Sequence, residues 1–214
     1  SCFLNEGYEI GSVGTVMPDV EVKIGENNEI LLRGKTITTG YYKKPEATAA
    51  AIDRDGWFHT GDAGYLKDSH LYLTERIKDL FKTSNGKYIS PQALETKLAI
   101  DRYIDQIAVI ADERKFVSAL IVPVYGFVKD YAKEKGIAYS NMDELLQHPK
   151  IQALFRARID TLQQQFAHYE QVKRFTLLTE PFSMERGELT NTLKLKRSVV
   201  AKNYKGLIDK MYEE

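Results

Sequence analysis

Residues 104–124 read IDQIAVIADERKFVSALIVPV. Residues 104–111 and 116–124 are apolar runs of strand length, and the charged segment 112–115 between them has the composition of a turn. These two runs therefore predict buried strands that a short turn joins. They lie near the middle of the chain and decide how the segments on either side are interpreted.

Outward from these strands, helical and extended patterns alternate. Residues 91–100, 125–135 and 150–165 follow helical spacing, 172–178 is a further strand, and a basic helix is expected at about 195–212. Alternation of this kind after residue 76 predicts a small mixed α/β domain. An apolar stripe on the third of these segments is interpreted as core; it consists of Ile151, Leu154, Phe155, Ile159, Leu162 and Phe166.

The first third of the chain has a strand-like pattern. Residues 20–24 and 30–33 are extended apolar runs around a Gly-Glu-Asn-Asn turn, which predicts a hairpin. Pro45 suits the start of a short helix over 45–52, and 65–73 predicts two short strands. The whole chain is therefore predicted to be a mixed α+β protein. A β-rich first part precedes a small α/β domain with a mixed sheet and flanking helices.

Composition excludes several classes of function. The 214 residues include 30 Lys plus Arg and 30 Asp plus Glu, so the bulk charge favours neither nucleic acid nor an anionic membrane. No apolar run approaches the length of a transmembrane segment. The single cysteine, Cys2, excludes an intrachain disulfide and favours the cytoplasm, with peripheral membrane association left open. The chain starts at Ser1 without a methionine or a signal-peptide pattern, so we expect it to begin inside a longer protein.

Three polar clusters contain the candidate functional residues. They are Thr60-Gly61-Asp62, the stretch 76–87, and the stretch 188–194. Each also has a purely structural interpretation. Thr-Gly-Asp is typical of a turn, Asn85-Gly86 is typical of a hairpin, and the basic residues around Lys194 are typical of a solvated helix face. Taken singly, none of the clusters indicates a function.

Other active-site chemistries lack their motifs. The spacing of the four histidines is not that of metal ligands; they are His59, His70, His148 and His168. The chain has no Gly-x-Ser-x-Gly nucleophile elbow, no Gly-x-x-x-x-Gly-Lys-Ser/Thr phosphate loop and no Gly-x-Gly-x-x-Gly. No complete active site and no metal site are therefore predicted within the sequence.

Taken in order, the clusters and their surroundings resemble the adenylate-forming superfamily, which includes acyl-CoA synthetases, luciferases and peptide-synthetase adenylation domains. Six segments follow the family's order and spacing, namely 9–14, 20–23, 29–34, 40–48, 55–62 and 76–80. This family forms an acyl-adenylate from a carboxylate and ATP, releases pyrophosphate, and passes the acyl group to the thiol of CoA. The resemblance implies that residues 1–77 end the large N-terminal domain and that 78–214 form the small, mobile C-terminal domain.

The resemblance implies nucleotide-binding residues in the first part. Asp62 resembles the carboxylate that accepts hydrogen bonds from the ribose hydroxyls, which suits an ionised acceptor, and Thr60 belongs to the same motif. Arg76 resembles the arginine that contacts ribose and phosphate, where a rigid guanidinium with several donors fits better than lysine. Lys78 resembles the interdomain hinge, whose backbone torsions change as the small domain swings between half-reactions.

The catalytic residue that the resemblance implies is Lys194. Residues 193–197 read LKLKR and align with the family's Gly-Lys-Ile-x-Arg, so Lys194 resembles the lysine that reaches the carboxylate and the α-phosphate during adenylation. There a mobile cation offsets negative charge as two anions approach. Leu193 stands where the family has glycine, which leaves Lys196 as the alternative.

A loop in the second cluster resembles the family's thioester hairpin. Ser84, Asn85, Gly86 and Lys87 would enter the active site when CoA reacts, and Gly86 would let the pantetheine arm pass close to the backbone. The insertion 124–172 and the motif 187–197 are more similar to long-chain fatty-acid–CoA ligases than to luciferases or aryl ligases.

The implied small-molecule substrates are fatty acid, ATP and CoA, with Mg²⁺ whose ligands are expected upstream of this chain. The family's phosphate loop and adenine-binding segment are also expected before residue 1. We therefore expect the isolated chain to be inactive and to work with the missing N-terminal domain. Apolar surface exposed on the first part is expected to favour dimerisation.

Two alternatives remain open. One is a non-catalytic module that binds a nucleotide, CoA or another protein. The other is a nucleic-acid binder that uses the basic C-terminal helix. The balanced charge and the lack of interleaved stacking aromatics disfavour the second alternative, so no nucleic-acid partner is predicted.

Overall fold

The computed structural model describes residues 9–213, and for Lys78 it describes the backbone only. Cys2 lies outside the described residues. The chain divides into two compact units, residues 1–80 and residues 81–214. That 1–77 ends a larger domain and 78–214 forms a small mobile one stays a prediction.

The described part of the first unit contains an antiparallel five-stranded sheet. Its strands are β1 (Gly14–Thr15), β2 (Val20–Ile24), β3 (Glu29–Gly34), β4 (Phe58–Lys67) and β5 (His70–Arg76), in the spatial order β1-β5-β4-β3-β2. The predicted hairpin at 20–33 is confirmed, since Val22 of β2 lies opposite Leu32 of β3. The two short strands predicted at 65–73 are present as the end of β4 and the start of β5, and both strands are longer than predicted.

Helix α1 (Pro45–Ala51) begins with proline, as predicted. The N–H that proline lacks has no partner at the start of a helix, so nothing is lost there. Among the described residues of the first unit, Ile30, Leu31 and Ala63 form the buried apolar centre. Large apolar side chains such as Ile10 and Tyr42 are more than four-fifths exposed, at 84% and 85%. That such surface favours dimerisation stays a prediction.

The second unit is built on a mixed sheet, as predicted. A short hairpin of β6 (Phe81–Lys82) and β7 (Tyr88–Ile89) opens it. Strands β8 (Ile104–Ile110) and β9 (Val117–Pro123) then pair antiparallel, and β10 (Val172–Leu177) pairs parallel to β9, which is central. The pair of buried strands with a charged turn is thereby confirmed. Parallel pairing with β10 requires a long crossover connection, which the helical segment between β9 and β10 supplies.

Helices cover both faces of this sheet. They are α2 (Pro91–Leu98), α3 (Tyr125–Glu134), α4 (Met142–Gln147), α5 (Pro149–Leu162), α6 (Arg197–Asn203) and α7 (Lys205–Tyr212). Because side chains alternate along a strand, Ala119 and Ile121 of β9 join a core with α2 and α5, while Leu120 and Val122 join a second core with α6 and α7. The predicted mixed α+β class is confirmed.

The predicted core stripe on α5 is also confirmed. Ile151, Phe155 and Ile159 are fully buried, and the other three members of the stripe pack against the same core. Helix α4 had not been predicted. It has six residues and depends on a local cap, since the side chain of Asn141 accepts a hydrogen bond of 2.9 Å from the backbone of Glu144.

The predicted single helix at 195–212 is two helices in the structure. Tyr204 interrupts the regular conformation between α6 and α7, with φ of −104° and ψ of 17°. Its ring packs edge-on against Phe182, with ring centroids 5.7 Å apart. Asn203 and Gly206 flank the break, and both are poor helix formers. Sequence periodicity alone did not reveal the interruption.

Candidate functional site

The segment Thr60-Gly61-Asp62 lies in a bulge of β4 rather than in a turn. The register between β3 and β4 shifts here, so that these three residues face Ile30 alone. Gly61 has φ of +72°, and a Cβ there would meet no atom within 4 Å, so the conformation and not the space favours glycine. The Thr60 hydroxyl donates to the carbonyl of Ile30 at 2.7 Å and accepts from the N–H of Asp62 at 3.1 Å. A bulge of this kind redirects the side chains that it carries.

Glu29 of β3 fixes the same bulge from the neighbouring strand. One carboxylate oxygen accepts the N–H of Gly61 at 3.1 Å, and the other lies 2.9 Å from Nδ1 of His59. The side chain of Glu29 is 18% exposed, so these bonds are largely shielded from water. Neither bond uses the carboxylate of Asp62.

Asp62 and Arg76 lie directly opposite one another on β4 and β5. Nε of Arg76 donates to Oδ1 of Asp62 at 3.1 Å, and the two side chains are 64% and 35% exposed. An ion pair this exposed contributes at most about 1 kcal/mol to stability. The pair can therefore exchange its mutual contact for contacts with a polar ligand at small cost. Its acceptor and its fork of donors suit a diol next to a phosphate.

The predicted hinge residue Lys78 lies in a single 3₁₀ turn, Ile77–Asp79. The N–H of Leu80 closes this turn on the carbonyl of Ile77 at 3.2 Å. The side chain of Lys78 lies outside the described residues. Its hinge role stays a prediction.

The loop formed by Ser84, Asn85, Gly86 and Lys87 is the tip of the hairpin between β6 and β7, as the Asn-Gly pair predicts. Gly86 has φ of +75°, a left-handed conformation that favours glycine. The buried Thr83 closes the loop, because its hydroxyl donates to the carbonyl of Lys87 at 3.2 Å and accepts the N–H of Lys87 at 3.1 Å. All four tip residues are exposed, which leaves them available to a ligand.

The turn between β8 and β9 braces this hairpin. The N–H of Ser84 donates to the carbonyl of Arg114 at 3.0 Å, and the N–H of Glu113 donates to the carbonyl of Lys82 at 2.9 Å. The guanidinium of Arg114 in turn donates to Asp209 of α7 at 2.9 Å. The predicted thioester loop is thereby connected to the last helix of its own unit.

The predicted catalytic residue, Lys194, lies in a tight hairpin formed by residues 188–196. Two backbone hydrogen bonds of 2.8 Å close the hairpin, from Thr190 N–H to Lys194 O and from Lys196 N–H to Glu188 O. The hydroxyl of Thr190 accepts the N–H of Lys194 at 3.0 Å. The side chains of Lys194 and Lys196 are both exposed.

Leu193, immediately before the lysine, has φ of +59°. This left-handed conformation costs a residue with a Cβ roughly 1–2 kcal/mol, and glycine adopts it freely. The side chain of Leu193 is 66% exposed, so little burial offsets that cost. The backbone therefore favours glycine where the family motif has glycine, which supports the alignment in which Lys194, rather than Lys196, is the family's lysine.

Glu188 anchors the base of this hairpin although it is only 1% exposed. Its carboxylate accepts hydrogen bonds from Nε of Arg186 and from the side chain of Asn203 at 3.1 Å each, and from the N–H of Ser183 at 3.0 Å. Burial alone would raise the pKa of Glu188, but these hydrogen bonds together outweigh it and lower the pKa below its usual value. The ionised carboxylate therefore fixes the hairpin base to α6.

Metal-ligand clusters and membrane-crossing helices were both looked for among the described residues. Within residues 9–213, no three His, Cys, Asp or Glu side chains are grouped so that they could hold a metal ion. Among the described helices, none combines the length and the apolar character that a membrane crossing requires.

Comparison with known proteins defines the class. The family model of the AMP-binding enzyme C-terminal domain matches residues 78–214, which is the greater part of the chain. The chain belongs to this family. The predicted resemblance to AMP-forming acyl-CoA synthetases is thereby confirmed.

Curated relatives match almost the whole chain. Long chain acyl-CoA synthetase 7, peroxisomal, of Arabidopsis thaliana is 35% identical over 222 residues, which cover 95% of this chain and 32% of the relative. Long-chain-fatty-acid–CoA ligase FadD15 of Mycobacterium tuberculosis is 32% identical over 96% of this chain and 34% of the relative. The chain thus spans about a third of the length of these relatives.

Solved structures with a similar fold include adenylation domains. That of a carboxylate reductase from Mycobacterium chelonae superimposes with a TM-score of 0.66 at 26% identity, over 87% of this chain and 28% of that one. The corresponding domain from Segniliparus rugosus, in complex with AMP and a co-purified carboxylic acid, gives a TM-score of 0.66 at 25% identity, over 86% and 28%.

Sequence reasoning missed the carboxylates that hold these segments in place. Glu188 lies inside a polar cluster but had no role assigned to it, and Glu29 lies next to a turn signal. Glu95 of α2 pairs with Arg197, which is 102 residues away. No local signal marks contacts over such separations, because local patterns report only on neighbours in the chain.

Proposed function

We propose that the chain is the C-terminal part of an ATP-dependent, AMP-forming fatty-acid–CoA ligase. Such an enzyme forms an acyl-adenylate with release of pyrophosphate and then transfers the acyl group to CoA. The observation that carries the proposal is the 188–196 hairpin, in which the exposed Lys194 follows a left-handed residue. The names of the relatives, a long chain acyl-CoA synthetase and a long-chain-fatty-acid–CoA ligase, support a fatty acid as the acyl substrate.

Lys194 is the proposed catalytic residue of adenylation. Its hairpin is short and closed by backbone bonds, so its Cα is held in place within the hairpin while the side chain is exposed to solvent. An ammonium group held in this way offsets negative charge as the carboxylate approaches the α-phosphate of ATP. The AMP in a related adenylation domain supports an adenosine nucleotide as the second substrate.

The first unit is proposed to contribute nucleotide contacts. Asp62 would accept hydrogen bonds from the ribose hydroxyls, and Arg76 would donate to ribose and phosphate. Thr60 supports them by holding the bulge, through its hydroxyl bonds to Ile30 and to the backbone of Asp62. The mutual ion pair of Asp62 and Arg76 is exposed and therefore weak, so a ligand can compete with it.

The two half-reactions are proposed to use different parts of the second unit. Lys194 serves adenylation, and the exposed loop of Ser84, Asn85, Gly86 and Lys87 serves thioester formation. Torsional change at Lys78 would exchange one for the other. The phosphate loop, the adenine-binding segment and the ligands of Mg²⁺ are proposed to belong to an N-terminal part outside this sequence, and the isolated chain is proposed to be inactive.

The test measures pyrophosphate release from ATP, and acyl-CoA formation, with fatty acids of increasing length. The 214-residue chain and the complete protein that contains it are assayed in parallel, with reactions lacking the acid as the control. We expect acid-dependent release from the complete protein alone. Release by the isolated chain would contradict the proposed division of the site. If neither protein released pyrophosphate with any fatty acid, a non-catalytic module would be the better account.

A further inference from the structure

The Lys194 hairpin is held from outside by an ion pair at its C-terminal end. Arg197, three residues after Lys194, is the first residue of α6. Its guanidinium donates two hydrogen bonds of 2.6 Å to Glu95 of α2, one to each carboxylate oxygen. The same carboxylate accepts the N–H of Val109 of β8 at 2.8 Å. One side chain, that of Glu95, therefore joins a helix, a strand of the sheet and the end of the hairpin.

The geometry of this pair fixes an orientation as well as a distance. The side chains of Glu95 and Arg197 are 12% and 29% exposed, so water screens them little. A planar guanidinium bonded through two nitrogens to two oxygens cannot rotate without losing a charge-assisted hydrogen bond. The bond from Val109 restrains the carboxylate in the same way.

The surroundings of Arg197 also include a cavity and an aromatic ring. Arg197 lines a cavity of about 310 Å³ together with residues that include Phe81, Leu195 and Ile208. The guanidinium lies over the ring of Phe81 at 5.6 Å from the centroid, a contact that tolerates sliding. The two bonds to Glu95, in contrast, are directional and hold the guanidinium in one orientation.

We propose that Glu95 is a positioning residue for the adenylation step. By holding Arg197 it sets the place of the hairpin and hence of the Lys194 amine. This inference rests on the proposed function, because it assumes that Lys194 takes part in adenylation. It predicts that Glu95 matters for adenylation and not for transfer of the acyl group to CoA.

The experiment compares the two half-reactions in the complete ligase. Glu95→Gln keeps the size of the side chain and removes its charge. We expect acyl-adenylate formation to fall on the order of 10²-fold, since a displacement of about 1 Å can cost that much. Thioester formation from a synthetic acyl-adenylate and CoA should be unchanged. Arg197→Lys keeps the charge and loses the two-pronged geometry, so the same selective loss is expected.

A matched control comes from a second ion pair in the same unit. Nε of Arg158 donates to both oxygens of Asp101 at 2.8 and 2.7 Å, and these side chains are 34% and 5% exposed. Asp101→Asn should lower the melting temperature at least as much as Glu95→Gln but should not separate the two half-reactions. The inference would be overturned if Glu95→Gln and Arg197→Lys lowered the rates of both half-reactions equally. It would also be overturned if they lowered neither rate.

A double variant distinguishes positioning from a general loss of structure. If Glu95 acts through Lys194, Glu95→Gln has no further effect on the residual adenylation of Lys194→Ala. Independent, multiplicative losses would overturn the inference. The single variant Lys194→Ala distinguishes a failure of the proposed function from a failure of the role proposed for Glu95. Unchanged adenylation in Lys194→Ala would contradict the proposed function. Loss of adenylation in Lys194→Ala, together with normal adenylation in Glu95→Gln, would overturn only the role of Glu95.

Discussion

Replacement of Glu188 by glutamine tests the electrostatic account of the hairpin base. The substitution keeps the size of a side chain that is 1% exposed and turns one of its acceptors into a donor. Loss of one partner from a buried ion pair costs roughly 3–5 kcal/mol. The partner Arg186 is 38% exposed and can be rehydrated. We therefore expect the free energy of unfolding to fall by about 3 kcal/mol, the lower end of that range.

Urea unfolding of the 214-residue chain, followed by far-ultraviolet circular dichroism, measures this change. Helices α2 to α7 belong to the second unit, so the helical signal mainly reports that unit. With a denaturant slope of about 2 kcal/mol per molar urea, the midpoint should fall by about 1.5 M. The control is Glu185→Gln, a neighbouring exposed position, where a change within about 0.5 kcal/mol is expected.

The contribution of Glu188 to stability should also depend on pH. The pKa of Glu188 is lowered from its usual 4.5, so its contribution to stability is present above that value and is lost as the pH falls through the lower pKa of the folded state. The difference in the free energy of unfolding between the wild-type protein and Glu188→Gln should therefore be largest at neutral pH and should decrease in acid. If the midpoint at neutral pH equalled that of Glu185→Gln, the reasoning about this carboxylate would be refuted.

Two further substitutions probe the backbone and a partly buried phenol. Leu193→Gly should raise the free energy of unfolding by up to about 1 kcal/mol, since relief of the left-handed conformation exceeds the added chain entropy. Leu193→Val should lower the free energy of unfolding, and urea midpoints measure both changes. A glycine variant less stable than the wild-type protein would contradict the strain assigned to Leu193. Burial, aided by the nearby charge of Asp105, raises the pKa of Tyr125 to about 12, so its contribution to stability is lost as the pH rises from about 10 through that value. Tyr125→Phe should cost about 1 kcal/mol at neutral pH, because the hydroxyl donates to the carbonyl of Leu178 at 3.1 Å. Urea midpoints at rising pH should also fall less steeply for this variant, and an equally steep fall would contradict the account.

Local signals were sufficient for much of the fold. Alternating apolar residues identified the hairpin of β2 and β3, and Pro45 marked the start of α1. Ser90 caps α2 through a hydrogen bond of 3.2 Å from the N–H of Ala93. These elements follow from residues close together in the chain, so their causes can be found in the sequence.

Other features depend on partners that are distant in the chain. The bulge at Thr60-Gly61-Asp62 exists because β4 changes register against β3, and a sequence of turn residues does not reveal that register. The break at Tyr204 depends partly on the ring of Phe182. Helix α4 had a local signal, the cap at Asn141, but its six residues are too few to establish a helical period.

Motifs in the sequence identify the candidate site residues, whose roles stay predictions, but they do not reveal the contacts that support those residues. Asp62, Arg76 and Lys194 belong to short motifs that a family resemblance can identify. Glu95 does not, because its importance arises from a pairing with Arg197 that only the folded chain brings about. The residues that support the hairpin could therefore be identified only from the structure.

Comparison of Lys194→Ala with Lys196→Ala in the complete ligase tests the central claim most directly. Both lysines are exposed and two residues apart, so each controls for the loss of one positive charge. We predict that Lys194→Ala lowers acyl-adenylate formation, measured as pyrophosphate release, far more than thioester formation from preformed adenylate, while Lys196→Ala changes neither. Equal losses in both half-reactions, or a selective loss in Lys196→Ala instead, would contradict the assignment of Lys194.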